Sequence, residues 1–178
     1  MKKLNNNDLG RKSPEEYADT QKLPLIVVLD NIRSMNNIGS IFRTCDAFLV
    51  KSLYLCGITA KPPHKDIHKT ALGAENTVNW KYFPKTAVAI HELKKTGYVI
   101  ISCEQTDGSA FLHNFEPVSR TGYAVVFGHE VKGVGDEIIQ HSDFCIEIPQ
   151  FGTKHSLNIS VAAGIIIWDL SLKLSRIQ

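Results

Sequence analysis

Five short apolar runs set the rhythm of the chain: Leu25-Ile26-Val27-Val28-Leu29, Ser52-Leu53-Tyr54-Leu55-Cys56, Tyr98-Val99-Ile100-Ile101-Ser102, Tyr123-Ala124-Val125-Val126-Phe127 and Phe144-Cys145-Ile146-Glu147-Ile148. Most are rich in β-branched and aromatic residues and do not alternate with polar positions, the pattern of strands covered on both faces. Between them, Ile38, Ile41, Phe42, Cys45, Phe48 and Leu49 recur at three and four, which predicts a helix. Val88, Ile90 and Leu93 predict another, ended by Gly97. Strands alternating with helices predict an α/β domain, a parallel sheet with helices on both faces.

The two ends depart from this rhythm. Residues 1–23 are polar, and Ser13-Pro14-Glu15-Glu16 reads as a capping box opening a short helix, so this segment is an N-terminal extension to a domain spanning 24–178. The last helix, from about Asn158 to Lys173, carries Ile159, Val161, Ala162, Ala163, Ile165, Ile166, Ile167, Trp168 and Leu170 on nearly every side. A helix apolar all round must be buried all round. In one domain of this size that implies a second chain against it, a homodimer, with Ala162, Ala163 and Gly164 permitting close approach.

Composition bounds the function more than it identifies it. With 178 residues, 43% hydrophobic and 21% charged, the chain can bury a real core and is not disordered. A net charge of +2 neither demands nor excludes a nucleic-acid partner. Two local basic groups matter more: Lys2, Lys3, Arg11 and Lys12 in the tail, and Lys61, His64, Lys65, His68 and Lys69 around Pro62-Pro63, each either solvated surface or an RNA contact. Cys45, Cys56, Cys103 and Cys145 lack Cys-x-x-Cys spacing and read as buried reduced thiols. No secretory segment opens the chain, and Ile165-Ile166-Ile167-Trp168, interrupted by Asp169, is too short to span a bilayer. The expected compartment is the cytoplasm. His64-x3-His68 with Asp66 has metal-ligand spacing but no third strong ligand, so no metal is expected.

Three polar constellations interrupt the apolar frame. In the first, between the first strand and its helix, Asn36 or Asn37 can cap the helix, and Arg43 offers a planar fork suited to phosphate or pairs with Asp46 three residues on. The second, Phe127-Gly128-His129-Glu130-Val131-Lys132-Gly133-Val134-Gly135, follows a strand directly, and its glycines let the backbone approach a ligand closely or take positive φ. It is neither a Gly-x-Gly-x-x-Gly turn nor a phosphate-binding P-loop, which removes the main warrant for a dinucleotide or nucleoside triphosphate. The third runs from Ile148-Pro149 to Ser156-Leu157-Asn158, where Ser156 or Asn158 can cap the apolar helix.

In order and spacing, Asn37-x5-Arg43, Phe127-Gly-His-Glu130, Ile148-Pro149 and Ser156-Leu-Asn158 resemble the three motifs of the SpoU (TrmH-like) RNA ribose methyltransferases of the SPOUT class. The resemblance covers the span from Leu25 to Leu174. It implies a C-terminal deep trefoil knot, which general rules of chain connection would not suggest. It implies transfer of a methyl group from S-adenosylmethionine to a ribose 2′-hydroxyl without a metal. The alternatives are a noncatalytic knotted RNA-binding homologue and a SPOUT-type base methyltransferase.

By the same resemblance, Cys103, Glu104, Gly128, Ile148 and Leu157 bind the cofactor, and Asn37, Arg43, Glu130, Ser156 and Asn158 are catalytic. The family's usual proposal makes Arg43 the base, with help from the substrate phosphate. A guanidinium titrates above ~12, so clamping phosphate and stabilising the developing alkoxide suit it better. Asn37 and Asn158 would orient groups, Ser156 would bond near the reacting ribose, and Glu130 would fix Arg43 or Asn37. The family packs the first-motif helix and the last helix in a homodimer. Without the separate RNA-binding domain of many rRNA-modifying relatives, the polar tail tilts the expected RNA toward tRNA over rRNA.

Overall fold

A computed structural model describes residues 1–118 and 122–176. Each apolar run becomes a strand: β1 (Leu23–Asp30), β2 (Val50–Cys56), β4 (Val99–Cys103), β6 (Tyr123–Phe127) and β7 (Phe144–Glu147). Two further strands, β3 (Trp80–Phe83) and β5 (Ala110–Phe111), close the edges. They are four and two residues long, too short to register as apolar runs. The strands of the sheet all pair in parallel, in the order β3-β2-β1-β6-β4-β7-β5.

The unalternating composition is explained by the two faces of the sheet. Leu25, Val27 and Leu29 of β1 join one core, together with Leu53 and Leu55 of β2 and Val125 and Phe127 of β6. That core is covered by α2 (Met35–Ala47), α3 (Lys65–Ala71), α4 (Ala74–Thr77) and α7 (Ile159–Ser175). Ile26 and Val28, Tyr54 and Cys56, and Ala124 and Val126 point the other way, toward α5 (Thr86–Lys95) and α6 (Asp136–Gln140). Successive side chains fall on opposite faces, and both faces are dry.

The helices refine the sequence reading in three places. Helix α2 buries Ile38, Ile41, Phe42 and Cys45 as its spacing predicts. In α5, Ala89, Ile90 and Leu93 are buried while Val88 points outward at 52% exposure, so the periodicity holds with one member of the stripe changed. Ser13 and Glu16 form the expected capping box on α1 (Pro14–Asp19), but Tyr17 of that helix is buried against the main core, so the polar segment is docked on the domain.

Strand order shows how the late chain re-enters the early fold. Strand β6 sits between β1 and β4, and β7 between β4 and β5. Residues 148–158 then carry the chain to α7, which packs across α2 and β1. The carboxyl ends of β4, β6 and β7 are thereby gathered beside the start of α7, the end of a parallel sheet where ligands bind.

Candidate active site

A cavity of about 690 Å³ opens at this end of the sheet. Its wall includes all five residues expected at the cofactor (Cys103, Glu104, Gly128, Ile148 and Leu157) and three of those expected in catalysis (Glu130, Ser156 and Asn158). Three loops far apart in sequence meet here because the strands before them are neighbours in the sheet.

The loop after β6 is tied to itself and to β4. His129 and Gly133 exchange backbone hydrogen bonds, His129 N–H to Gly133 carbonyl at 3.0 Å and the reverse at 2.8 Å. His129 Nδ1 accepts from the Val131 N–H at 3.0 Å, which assigns this histidine to the turn. Glu104 accepts the Val134 N–H at 2.9 Å and the Gln105 N–H at 3.0 Å. A Cβ on Gly128 would lie 2.1 Å from the Gly133 carbonyl carbon and the Val134 nitrogen. Glycine is thus required at 128 by the folded loop's own backbone.

Beneath this loop lies a brace absent from the sequence reading. Asp30, buried at the end of β1, accepts from the Thr86 hydroxyl and from Asn31 Nδ2 at 2.7 Å, and its other oxygen lies 3.5 Å from the Gly135 nitrogen. The available signal was a carboxylate closing an apolar run, since a buried charge must find partners. Cys103 needs no such partner. Burial, followed by the nearby Glu104 charge, pushes its thiol up to about 12, so it is a neutral wall of the cavity. All four cysteines are free; Cys45 and Cys56 are buried, whereas Cys103 and Cys145 are only half-buried.

Glu130 connects the cavity to the first motif. Its carboxylate accepts the Ser34 N–H at 3.1 Å and the Arg33 N–H at 3.3 Å. Burial pushes its titration up, but these bonds, together with other backbone bonding and the nearby His129, prevail and hold it below the usual carboxylate range. Among the described residues it forms no ion pair with Lys132 or Arg43. It acts on Asn37 indirectly. Ser34, not Asn36 or Asn37, is the N-cap of α2, and its hydroxyl accepts the Asn37 N–H at 3.3 Å.

Asn158 does two jobs with two atoms. Its Oδ1 caps α7 by accepting from the Ser160 N–H at 2.9 Å, and its Nδ2 donates to Asn37 Oδ1 at 3.3 Å. This bond joins the first and third motifs. Ser156 is exposed on the cavity rim. Arg43 stands apart. It is exposed, lies outside the cavity wall and makes no hydrogen bond or ion pair among the described residues; in particular it does not pair with Asp46, whose Oδ1 accepts from the Thr77 hydroxyl at 2.6 Å. Six residues beyond Asn37, it sits roughly 9 Å along the helix axis on a different side.

The profile of the SpoU rRNA Methylase family matches residues 24–168 of this chain. The chain belongs to that family. Among SpoU relatives, it is 33% identical over 162 residues to the tRNA (guanosine(18)-2′-O)-methyltransferase of Aquifex aeolicus, covering 89% of this chain and 74% of that one. It is 33% identical over 144 residues to the 23S rRNA (guanosine-2′-O-)-methyltransferase RlmB of Neisseria meningitidis, covering 81% and 56%. The AdoMet-bound rRNA methyltransferase of Sinorhizobium meliloti superposes with a TM-score of 0.78 at 25% identity, covering 89% and 60%. The chain therefore spans little more than half the length of the last two. The α/β SpoU fold expected from the motifs is the fold observed.

His64 and His68 do not converge. His64 Nδ1 accepts the Asp66 N–H at 3.2 Å, while His68 Nδ1 faces Glu75. Among the described residues, no group of three or more His, Cys, Asp or Glu side chains is placed to hold a metal, and no helix is long and apolar enough to cross a membrane.

Proposed function

We propose that the protein transfers a methyl group from S-adenosylmethionine to a ribose 2′-hydroxyl of RNA, with tRNA favoured over rRNA. The observation that carries the reading is the junction of a cofactor-sized cavity with Asn37 through Asn158. About 690 Å³ lies within the usual range for cofactor sites. The tRNA preference is supported by the larger share of both chains that aligns with the Aquifex tRNA enzyme than with the Neisseria rRNA enzyme.

The cofactor supplies an electrophilic methyl group on sulfur, so the protein's part is positioning and charge stabilisation. Ile148, Leu157 and the neutral Cys103 form apolar wall, and the backbone of the Gly128 loop reads the adenosine. Asn37 and Asn158 orient the ribose, and Ser156 bonds beside it on the rim. Glu130 fixes the Arg33-Ser34 backbone on which α2 starts. Arg43, free and outside the cavity, clamps the phosphate of the target nucleotide and stabilises charge as the 2′-oxygen attacks.

A homodimer in the cytoplasm completes the proposal. Val161, Ile165, Trp168 and Leu172 are 37–52% exposed and recur at three- and four-residue steps along α7. An apolar stripe of this kind supports a second copy packed over α7 and the adjoining α2. The interleaved order of β6 and β7 supports a threaded, knotted C-terminal segment.

The test is transfer of radiolabelled methyl groups from S-adenosylmethionine to RNA from cells lacking this protein, followed by digestion to nucleosides. Label on ribose is the expected result. Label on a base would identify a base methyltransferase, and RNA binding without label would identify a noncatalytic homologue.

A further inference from the structure

A second pocket, of about 590 Å³, lies outside the cofactor cavity and is lined by Pro62, Pro63, His64, Lys65, His68, Glu75, Asn76 and Trp80. Its chemistry differs from that of the first. It has an indole and two proline rings for walls, the Asn76 amide for hydrogen bonding, and Lys65 and His68 as exposed cationic or ionisable groups. Lys61 stands nearby with its ammonium 4.3 Å from the centre of the Tyr82 ring, and Lys69 is exposed on the same short helix as Lys65 and His68.

Two features make this a built pocket. Glu75 is only 8% exposed, and one carboxylate oxygen meets His68 Nδ1 at 2.5 Å while the other accepts the Gly73 N–H at 3.1 Å. A buried carboxylate thus fixes the orientation of an exposed imidazole and leaves Nε2 as its free nitrogen. This is the arrangement that orients a histidine toward a ligand. Secondly, α3 is tied to the first motif. Thr70 donates to the Asn36 carbonyl at 2.9 Å, and Gly39 packs so closely that a Cβ there would lie 2.1 Å from the Thr70 hydroxyl oxygen. The pocket therefore has a fixed position relative to Asn37.

We propose that this pocket holds a second nucleotide of the bound RNA, apart from the one that is methylated. Its base packs against Trp80 and the proline pair with Asn76 at its edge, and its phosphate meets Lys65 and His68 Nε2. An aromatic platform beside lysines is the means by which single-stranded nucleic acid is held with little sequence preference. The pocket would select RNA whose backbone reaches from α2 across α3, making it a determinant of substrate shape. The proposal rests on the reading that the protein acts on RNA.

The chain has two tryptophans, so Trp168→Phe leaves Trp80 as its sole indole. In that background, RNA from cells lacking the protein should quench Trp80 fluorescence and shield it from acrylamide. Lys65 and Asn76 are both exposed, so the double variant Lys65→Ala/Asn76→Ala tests the pocket without opening the core. It should raise the half-saturating RNA concentration by about tenfold, the scale of losing one phosphate contact and one base-edge hydrogen bond while the stacking on Trp80 remains, with kcat and S-adenosylmethionine affinity unchanged. Methyl transfer with Trp80 unshielded and the half-saturating concentration unmoved would overturn the pocket and leave the reaction standing. Shielding of Trp80 that the double variant weakens, without methyl transfer by the wild type, would support the pocket and overturn the reaction.

Discussion

The cavity at the carboxyl end of the sheet and the outer surface of α2 and α7 are finished to different degrees within one chain. Around the cavity, Glu104, Glu130 and Asn158 each have hydrogen-bond partners that lock one loop to another, and His129 ties together its own turn. On the outer surface, Arg43 makes no hydrogen bond or ion pair among the described residues, and an apolar stripe on α7 faces solvent. A preorganised cavity suits a small ligand that must be held in one geometry, and an open surface suits large partners that bring their own contacts. Cofactor binding should therefore survive damage to the outer surface, while RNA chemistry should not.

The strongest way to separate the two is Arg43→Ala. The guanidinium is exposed and has no partner among the described residues, so its removal should leave the thermal midpoint and S-adenosylmethionine affinity unchanged. Methyl transfer should fall by ~10² to 10⁴-fold, the scale of losing a group that stabilises charge in the transition state. Stopped-assay rates beside calorimetric cofactor binding would check this. A comparable loss of cofactor affinity would place Arg43 in the cavity's support and erase the contrast.

Next in size is Trp168→Glu. The side chain is 52% exposed in the single chain, so a carboxylate there costs the isolated fold little. Buried at an interface without a partner it would cost at least ~2 kcal/mol, about thirtyfold in dimer affinity. Sedimentation equilibrium should show a shift toward monomer with secondary structure retained. A wild-type protein that is monomeric at tens of micromolar would remove the role proposed for the stripe.

The same contrast governs what could be read from sequence. Strands β1, β2, β4 and β6 were legible because burial on both faces leaves an apolar run; β7, where Ile146 alone is fully buried, became a strand from a run broken by Glu147. Strands β3 and β5 were not, because an edge of two to four residues needs no such run. Helix α7 was legible as apolar all round, but its burial was not, since Ile166 and Ile167 face the core while Ile165 and Trp168 face outward in the single chain. Family motifs brought eight of ten candidate site residues to one cavity. The pairings within it, such as Glu130 with the Arg33-Ser34 backbone or Asp30 beneath Gly135, depend on neighbours about a hundred residues apart and carry no local signal.

The smallest effect concerns the cavity's own lock. Glu130 has its folded titration lowered by accepting backbone N–H bonds, so its contribution to stability is fully present above the unfolded value of ~4.3 and is lost as pH falls through the lower folded value. Glu130→Gln retains an oxygen that can accept one of the two N–H groups but removes the charge. The variant should melt about 1 to 3 °C below the wild type at pH 7, a modest shift because the carboxylate is only partly buried and is screened by solvent. That gap should close as the pH is lowered below 4, where the wild-type carboxylate also becomes neutral. Melting curves at pH 7, 5 and 3 would show the convergence, whereas a constant gap would mean that shape at residue 130, rather than charge, holds the second motif to the first.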